Sequence, residues 1–182
     1  VALVLRQATL GFIFGYSEPS PARDEVFLWH KTIGVVILLL TLARLWYRMK
    51  NPPPPFPPEL PAWERYAAVW NHRLFYTLLI AMPIVGFIAV SGFASGPTTP
   101  LVGGIEVPVI PGVSRETGEL PGEVHEISAY LLVALILVHV AAALKHPIVD
   151  RWRGSARMPP FKAPNGEPVV IGQGRDAALQ EG

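Results

Sequence analysis

The chain has no cysteine and few charged residues. None of its 182 residues is Cys, and Asp, Glu, Lys and Arg together make up only 16%. Without cysteine there is no disulfide, no thiolate-held iron–sulfur cluster and no covalent haem attachment through a C-x-x-C-H motif. The formal net charge is only +1, so the sequence lacks the basic surface expected of a protein that binds nucleic acid.

Long apolar segments take the place of charge, in a chain that is 51% hydrophobic with a mean hydropathy of +0.36. Leu74–Ala94 contains no charged residue, Ile127–Leu144 contains none if His139 is neutral, and Val26–Met49 carries charge only toward its ends. Each segment reaches or approaches the ~20 residues of a membrane-spanning helix. The sequence therefore predicts an all-α, transmembrane four-helix bundle, the remaining helix being Val1–Tyr16.

The first helix is predicted to be truncated. Val1–Tyr16 starts abruptly in apolar sequence and would reach only ~24 Å as a helix. No starting Met precedes it, and no basic region with a small-residue cleavage site marks a signal peptide. We expect the sequence to begin inside its first transmembrane helix.

The segments between the apolar runs are rich in proline and glycine. Ser17–Glu25 is predicted to be a short polar loop, and Ser91–Glu123 to be largely a long Gly/Pro loop. Asn51–Pro61 contains seven prolines, cannot continue a helix, and is predicted to be an extended strut. Residues 1–149 form the predicted transmembrane domain, and residues 150–182 form a polar tail.

Basic residues gather after the second and fourth apolar runs. The positive-inside rule places the proline-rich connector and the C-terminal tail in the cytoplasm, and the other two loops in the periplasm. The expected location is the inner membrane of a bacterium, with several spans in the lipid bilayer and a cytoplasmic C-terminus. The residues in question are Arg44, Arg48, Lys50, Lys145, Arg151, Arg153 and Arg157.

Histidines lie in or at the edge of these apolar runs, where an ionisable side chain is costly and indicates a functional site. His125 and His139 are fourteen residues apart, which places them on nearly the same helix face, ~21 Å apart along the axis. That spacing suits a helix that ligates two stacked haems. His30 and His125 lie near the starts of two helices that run in the same direction, so they are expected at one membrane level, as an axial pair for the periplasmic-side haem.

The sequence leaves two candidates for the partner ligand of His139. Either His72 or a histidine upstream of Val1 would lie at a possible depth. His72 is also a candidate for a quinone pocket, as is His146, which follows His139 by seven residues. Arg44 shares a face with His30 and suits pairing with a haem propionate. Arg6, inside the first helix, is expected to make a similar contact.

Several motifs occur along the chain: Trp29-His30-Lys31, Ala43-Arg44-Leu45 with Arg48, Asn51-Pro52-Pro53-Pro54-Pro55, Asn71-His72-Arg73-Leu74 with Tyr76 and Pro83, Val124-His125-Glu126, His139 to His146, and Arg157-Met158 with Pro159. Together these motifs resemble the prokaryotic di-haem cytochrome b561 family. The resemblance covers nearly the whole chain and implies four histidine ligands for two non-covalent b haems. His30, His125 and His139 match three of the ligands, and the fourth would lie upstream of Val1. It also implies electron transfer to or from ubiquinone, and some members oxidise superoxide at the periplasmic face.

The functional hypothesis is a membrane electron-transfer protein between a periplasmic donor, superoxide being one candidate, and ubiquinone. Bis-histidine ligation leaves no open iron position, so such haems carry electrons and do not bind oxygen. His146 or His72 would deliver the protons that quinone reduction needs. Two alternatives are a membrane-anchor subunit of a larger dehydrogenase or hydrogenase complex, and a helical membrane protein without haem.

Overall fold

Helices dominate the part of the chain that this computed structural model describes, which is residues 1–56 and 61–148 with side chains to Leu144. A two-stranded antiparallel sheet separates the last two helices, pairing Thr98 with Pro108 and Leu101 with Ile105. The chain divides into two compact units, Val1–Val138 and His139–Gly182, and the tertiary contacts described below all lie in the first. The elements are α1 (Ala2–Tyr16), α2 (Pro21–Lys50), α3 (Ala62–Phe93), β1 (Thr98–Leu101), β2 (Ile105–Pro108) and α4 (Arg115–Ile148).

Local capping makes the helices longer than the apolar runs alone predicted. The Ser20 hydroxyl accepts a hydrogen bond of 3.2 Å from the backbone N–H of Arg23, and Pro21 occupies the first turn of α2, where its missing N–H costs nothing. Ser114 does the same for the N–H of Thr117 before α4, at 3.3 Å. The predicted loop Ser17–Glu25 is therefore helical from Pro21 onward.

The prediction that Ser91–Glu123 is largely a loop is wrong. α3 continues to Phe93, strands β1 and β2 follow, and α4 begins at Arg115. The hairpin turn uses Gly103 and Gly104, whose φ angles of 87° and 74° carry little penalty only for a residue without Cβ. Proline and glycine here punctuate a folded hairpin and do not mark an irregular segment.

Three helical segments are long and apolar enough to cross a membrane: α2, α3 and the segment Arg115–Leu144 of α4. Only 11–22% of the residues in their most apolar stretches are buried inside the protein, so these helices are hydrophobic on their outer faces as well. A helix that is apolar all round suits a lipid environment. Together with the shorter apolar helix α1, they form the predicted transmembrane four-helix bundle.

The helices are arranged so that α2 and α4 lie diagonally across the bundle. α1 packs against α2, and α2 packs against α3. α3 meets α4 where Gly92 and Gly118 bring the two backbones together. α4 returns to α1 through Tyr130, whose hydroxyl shares a 2.5 Å hydrogen bond with that of Tyr16. Side chains at the centre of this arrangement can therefore approach one another from α2 and α4.

The β1–β2 hairpin is fixed to one end of the bundle. Lys31 Nζ donates a 2.7 Å hydrogen bond to the hydroxyl of the buried Thr99, and the N–H of Val102 donates to Thr32 Oγ1 at 3.0 Å. We call this end, where α2 and α4 begin, the hairpin face. We call the opposite end, where α2 ends and α3 begins, the connector face.

Candidate functional site

His30 of α2 and His125 of α4 face one another across the bundle. Their ring centroids are 6.0 Å apart, and the ring planes are inclined at 79°. Each histidine lies about ten residues into its helix from the hairpin face, which is why two helices that run in the same direction place them at one level. The structure thus brings together the two residues that the sequence predicts as one ligand pair.

Hydrogen bonds leave the same ring nitrogen available in both imidazoles. His30 Nδ1 lies 3.2 Å from the carbonyl oxygen of Gln7, and His125 Nδ1 lies 2.9 Å from that of Met82. A carbonyl oxygen only accepts, so each Nδ1 carries the proton and each Nε2 presents its lone pair. Metal-bound histidines show this arrangement because the carbonyl fixes the ring orientation and raises the basicity of the ligating nitrogen.

The pair has the spacing of two ligands on opposite sides of one metal ion. Two metal–imidazole bonds of about 2 Å, with about 1 Å from each nitrogen to its ring centre, separate the centroids by about 6 Å. An edge-to-face pair of aromatic rings has a similar spacing, so the hydrogen bonds of both Nδ1 atoms are what favour ligation. No group of three or more His, Cys, Asp or Glu side chains able to hold a metal occurs among the side chains described, those of residues 1–56 and 61–144. His30 and His125 are the residues that would hold a haem here, and the haem would supply one-electron redox chemistry.

Glycines make room for both imidazoles. A Cβ added at Gly86 would lie 2.8 Å from His125 Nδ1, and a Cβ added at Gly11 would lie 3.0 Å from His30 Cε1. Both distances are shorter than ordinary van der Waals contact. Each ring consequently lies directly against the backbone of a neighbouring helix, where any larger residue would displace it.

Gln7 contributes to this site and was not among the predicted residues. Its side-chain amide donates a 2.9 Å hydrogen bond to the backbone oxygen of His30, while its own backbone oxygen accepts from the His30 ring. Its side-chain oxygen is buried without a hydrogen-bond partner among the described residues. A polar residue in an apolar helix, four positions before Gly11, was the available sequence signal.

The two arginines predicted to pair with propionates are exposed. The Arg6 guanidinium lies 5.7 Å from the centre of the ring of Trp29. Trp29 is the residue that precedes His30 in the sequence. Arg44, at the other end of α2, makes no hydrogen bond, ion pair or ring contact within the described part of the chain. A role for either residue in binding a propionate stays a prediction.

The remaining predicted histidines lie in α3 and α4. His72 is half-buried, ten residues into α3, and His139 is half-buried in the same continuous helix as His125. Neither lacks an interaction partner. His146 falls within the bounds of α4, but its side chain lies outside the described part of the chain. The roles of these three as ligands or quinone residues stay predictions.

Comparisons with known protein families and with individual proteins agree with one another. The family model of prokaryotic cytochrome b561 matches residues 1–160. Cytochrome b561 homolog 2 of Escherichia coli K12 is 29% identical over 150 residues, covering 82% of this chain and 76% of that protein. Cytochrome b561 homolog 1 of the same strain is 30% identical over 131 residues, covering 72% and 73%. A Yersinia pestis protein named Probable superoxide oxidase CybB is 26% identical over 144 residues, covering 79% and 80%.

Proposed function

Because the chain belongs to the prokaryotic cytochrome b561 family, whose members transfer electrons in membranes, we propose that it is a membrane electron carrier. The proposed electron path runs between a periplasmic donor and ubiquinone through two non-covalent b haems. The observation that supports this most directly is the His30–His125 pair, with centroids 6.0 Å apart and both Nδ1 atoms bonded to backbone carbonyls. When bound there, the haem supplies one-electron redox chemistry.

The protein's own part is to hold the two imidazoles in a fixed orientation. The carbonyls of Gln7 and Met82 are held within helices α1 and α3, so they fix each ring without the cost of ordering a flexible side chain. Burial and hydrogen bonding around axial ligands are among the means by which a protein tunes a haem potential. We propose His139 as a ligand of the second haem. Within this sequence, His72 is the candidate for the partner ligand of His139.

The proposed donor side is the hairpin face. The cluster Arg44, Arg48 and Lys50 at the end of α2 supports a cytoplasmic connector face under the positive-inside rule, and so a periplasmic hairpin face in a bacterial inner membrane. The relative named Probable superoxide oxidase CybB supports superoxide as the donor. The cationic Lys31, which follows His30 and bonds to Thr99 of the hairpin, suits an anionic donor because opposite charge favours encounter.

The proposed acceptor side is the connector face. Quinone reduction needs protons as well as electrons, and a histidine that titrates near neutral pH supplies them with little driving force. His72 and His146 are the candidates for this role.

Arg6 and Arg44 are proposed to pair with haem propionates, since guanidinium groups form strong hydrogen bonds with carboxylates.

The cofactor part of the proposal is tested by a redox-difference absorption spectrum with a pyridine haemochrome count on the purified protein. We expect a low-spin b-type spectrum and two haems per chain. A colourless preparation that takes up no added haem would contradict the proposal and leave a haem-free helical membrane protein.

The quinone part is tested by stopped-flow reoxidation of the reduced protein with a soluble ubiquinone analogue. His146→Ala is expected to slow reoxidation while both haems stay bound, and His72→Ala is its companion variant. Unchanged kinetics in both would remove these residues from the mechanism. A parent protein that fails to react with quinone would contradict ubiquinone as acceptor and favour the membrane-anchor alternative, which copurification of a stoichiometric soluble subunit would support.

A further inference from the structure

A partly open cavity of about 590 Å³ lies at the connector face, on the first turns of α3. This volume is in the range of pockets that hold small organic ligands. One wall comes from Phe56 of the connector, and the rest comes from a single side of α3, since the contributing residues recur at helical spacing. They are Ala62, Arg65, Tyr66, Val69, Trp70 and Arg73.

The depth of the cavity coincides with the headgroup layer of a bilayer. The charge-free run of α3 begins at Leu74, directly after Arg73. At about 1.5 Å per residue, Arg73 lies about 2 Å, Trp70 about 6 Å and Arg65 about 14 Å outside that run. Because the polar layer extends roughly 5–8 Å beyond the hydrocarbon core, the two arginines bracket the level of the lipid phosphates.

The chemistry of the lining is cationic and amphipathic. Arg65 and Arg73 are the charged residues among those described as lining the cavity, and none of the described lining residues is acidic. The Arg73 guanidinium lies 5.2 Å from the centre of the Trp70 ring, a contact that orients it while leaving its N–H groups available. Guanidinium groups bind phosphate through paired charge-assisted hydrogen bonds, and Trp and Tyr favour the membrane interface.

We propose that this cavity binds the phosphodiester headgroup of an anionic phospholipid, with Arg65 and Arg73 on the phosphate and an acyl chain directed toward the apolar run after Leu74. Basic pockets at the membrane surface recognise such headgroups because two cationic side chains are attracted more strongly to a lipid with a net negative charge than to a zwitterionic lipid. Lipid binding in this cavity requires that the protein lie in a membrane, but it does not depend on the proposed donor, acceptor or haem number.

The test is native mass spectrometry of the haem-loaded protein in mild detergent, after delipidation and titration with phosphatidylglycerol or phosphatidylcholine. The parent protein is expected to retain one phosphatidylglycerol in preference to phosphatidylcholine. The double variant Arg65→Gln/Arg73→Gln is expected to lose that preference at least tenfold. Arg48→Gln is the matched control, because Arg48 is also near the connector face and lies over an aromatic ring, Tyr76, at 5.9 Å, but does not line the cavity.

Two additional arms identify the ligand. Excess glycerol phosphate that displaces the lipid completely would assign the site to free phosphate compounds, and a ubiquinone analogue that displaces it would assign the site to quinone; both outcomes overturn the proposal. Equal retention by the double variant and Arg48→Gln also overturns it. So does a parent protein without preference for the anionic lipid, a result that does not depend on whether the variants fold. Haem content, measured on the same samples, separates this outcome from failure of the electron-transfer proposal.

Discussion

The two ends of the bundle hold their polar side chains in different ways. Toward the hairpin face, the rings of His30 and His125 each bond to a backbone carbonyl of a neighbouring helix, and Lys31 bonds to a buried hydroxyl of the hairpin. Every one of these contacts joins segments that are at least 23 residues apart. The positions of the side chains at this end are therefore set by tertiary structure.

Toward the connector face, the described polar side chains have different surroundings. Arg44 is exposed, Arg48 and Arg73 lie over aromatic rings, and the side-chain oxygen of Asn71 is buried without a partner among the described residues. Guanidinium–aromatic contacts have broad geometry and leave hydrogen-bonding groups free. These contacts support the proposal of a preorganised haem site between His30 and His125 toward the hairpin face. Toward the connector face, the arginine side chains would suit the exchangeable ligands that we propose there, lipid and quinone.

The largest effect is expected from removing one of the proposed haem ligands. Replacing His30 or His125 with Ala would remove one of the two ligands that we propose for the first of two haems, so about half of the bound haem should be lost. The measurement is a pyridine haemochrome count with the low-spin spectrum. Thr41→Val on α2 is the matched control and is expected to keep the full count, because the Thr41 hydroxyl donates to the backbone oxygen of Ile37 in its own helix, at 2.7 Å. Full haem content in both His30→Ala and His125→Ala would show that the pair is not a ligand set.

A smaller effect is expected from filling the space beside a ring. Gly86→Ala places a methyl group 2.8 Å from His125 Nδ1, which overpacks the site by about 1–3 kcal/mol, or roughly 5- to 150-fold in haem affinity. Transfer of haem to apomyoglobin measures the loss. Gly122→Ala on α4 is the control, because its nearest neighbour would be Ala89 Cβ at 3.8 Å. Equal transfer rates in the two variants would mean that Gly86 does not position the ring.

A local effect is expected at the hairpin, where one hydrogen bond joins β1 to α2. Thr99→Val keeps the side-chain shape but removes the acceptor of the Lys31 hydrogen bond, which costs about 1.5–3 kcal/mol for a charged donor. Hydrogen exchange at the β1–β2 amides should become about ten- to hundredfold faster. Thr98→Val is the control, since Thr98 makes no side-chain hydrogen bond within the described residues. Identical exchange in both variants would argue that Lys31 does not secure the hairpin.

Helix boundaries show where sequence patterns alone are insufficient. The apolar run from Leu74 predicts a spanning helix, but α3 begins twelve residues earlier at Ala62, because the polar and aromatic residues before the run are also compatible with a helix. The apolar run at Ile127 likewise underestimates α4, which starts at Arg115 after the cap at Ser114. Hydropathy reports the part of a helix that lies in lipid, whereas capping and backbone geometry determine where the helix begins.

The sequence by itself determined the all-α transmembrane class and the family, and it identified His30 and His125 as a pair. Long runs without charge leave a helix as the structure that satisfies every backbone group in lipid, and the distance of a histidine from the helix start gives its depth. The tertiary structure alone decided the surroundings of that pair: the carbonyls of Gln7 and Met82, the close approach of Gly11 and Gly86, and the attached hairpin. These contacts depend on which faces of distant helices meet, and the periodicity of one helix does not encode that choice.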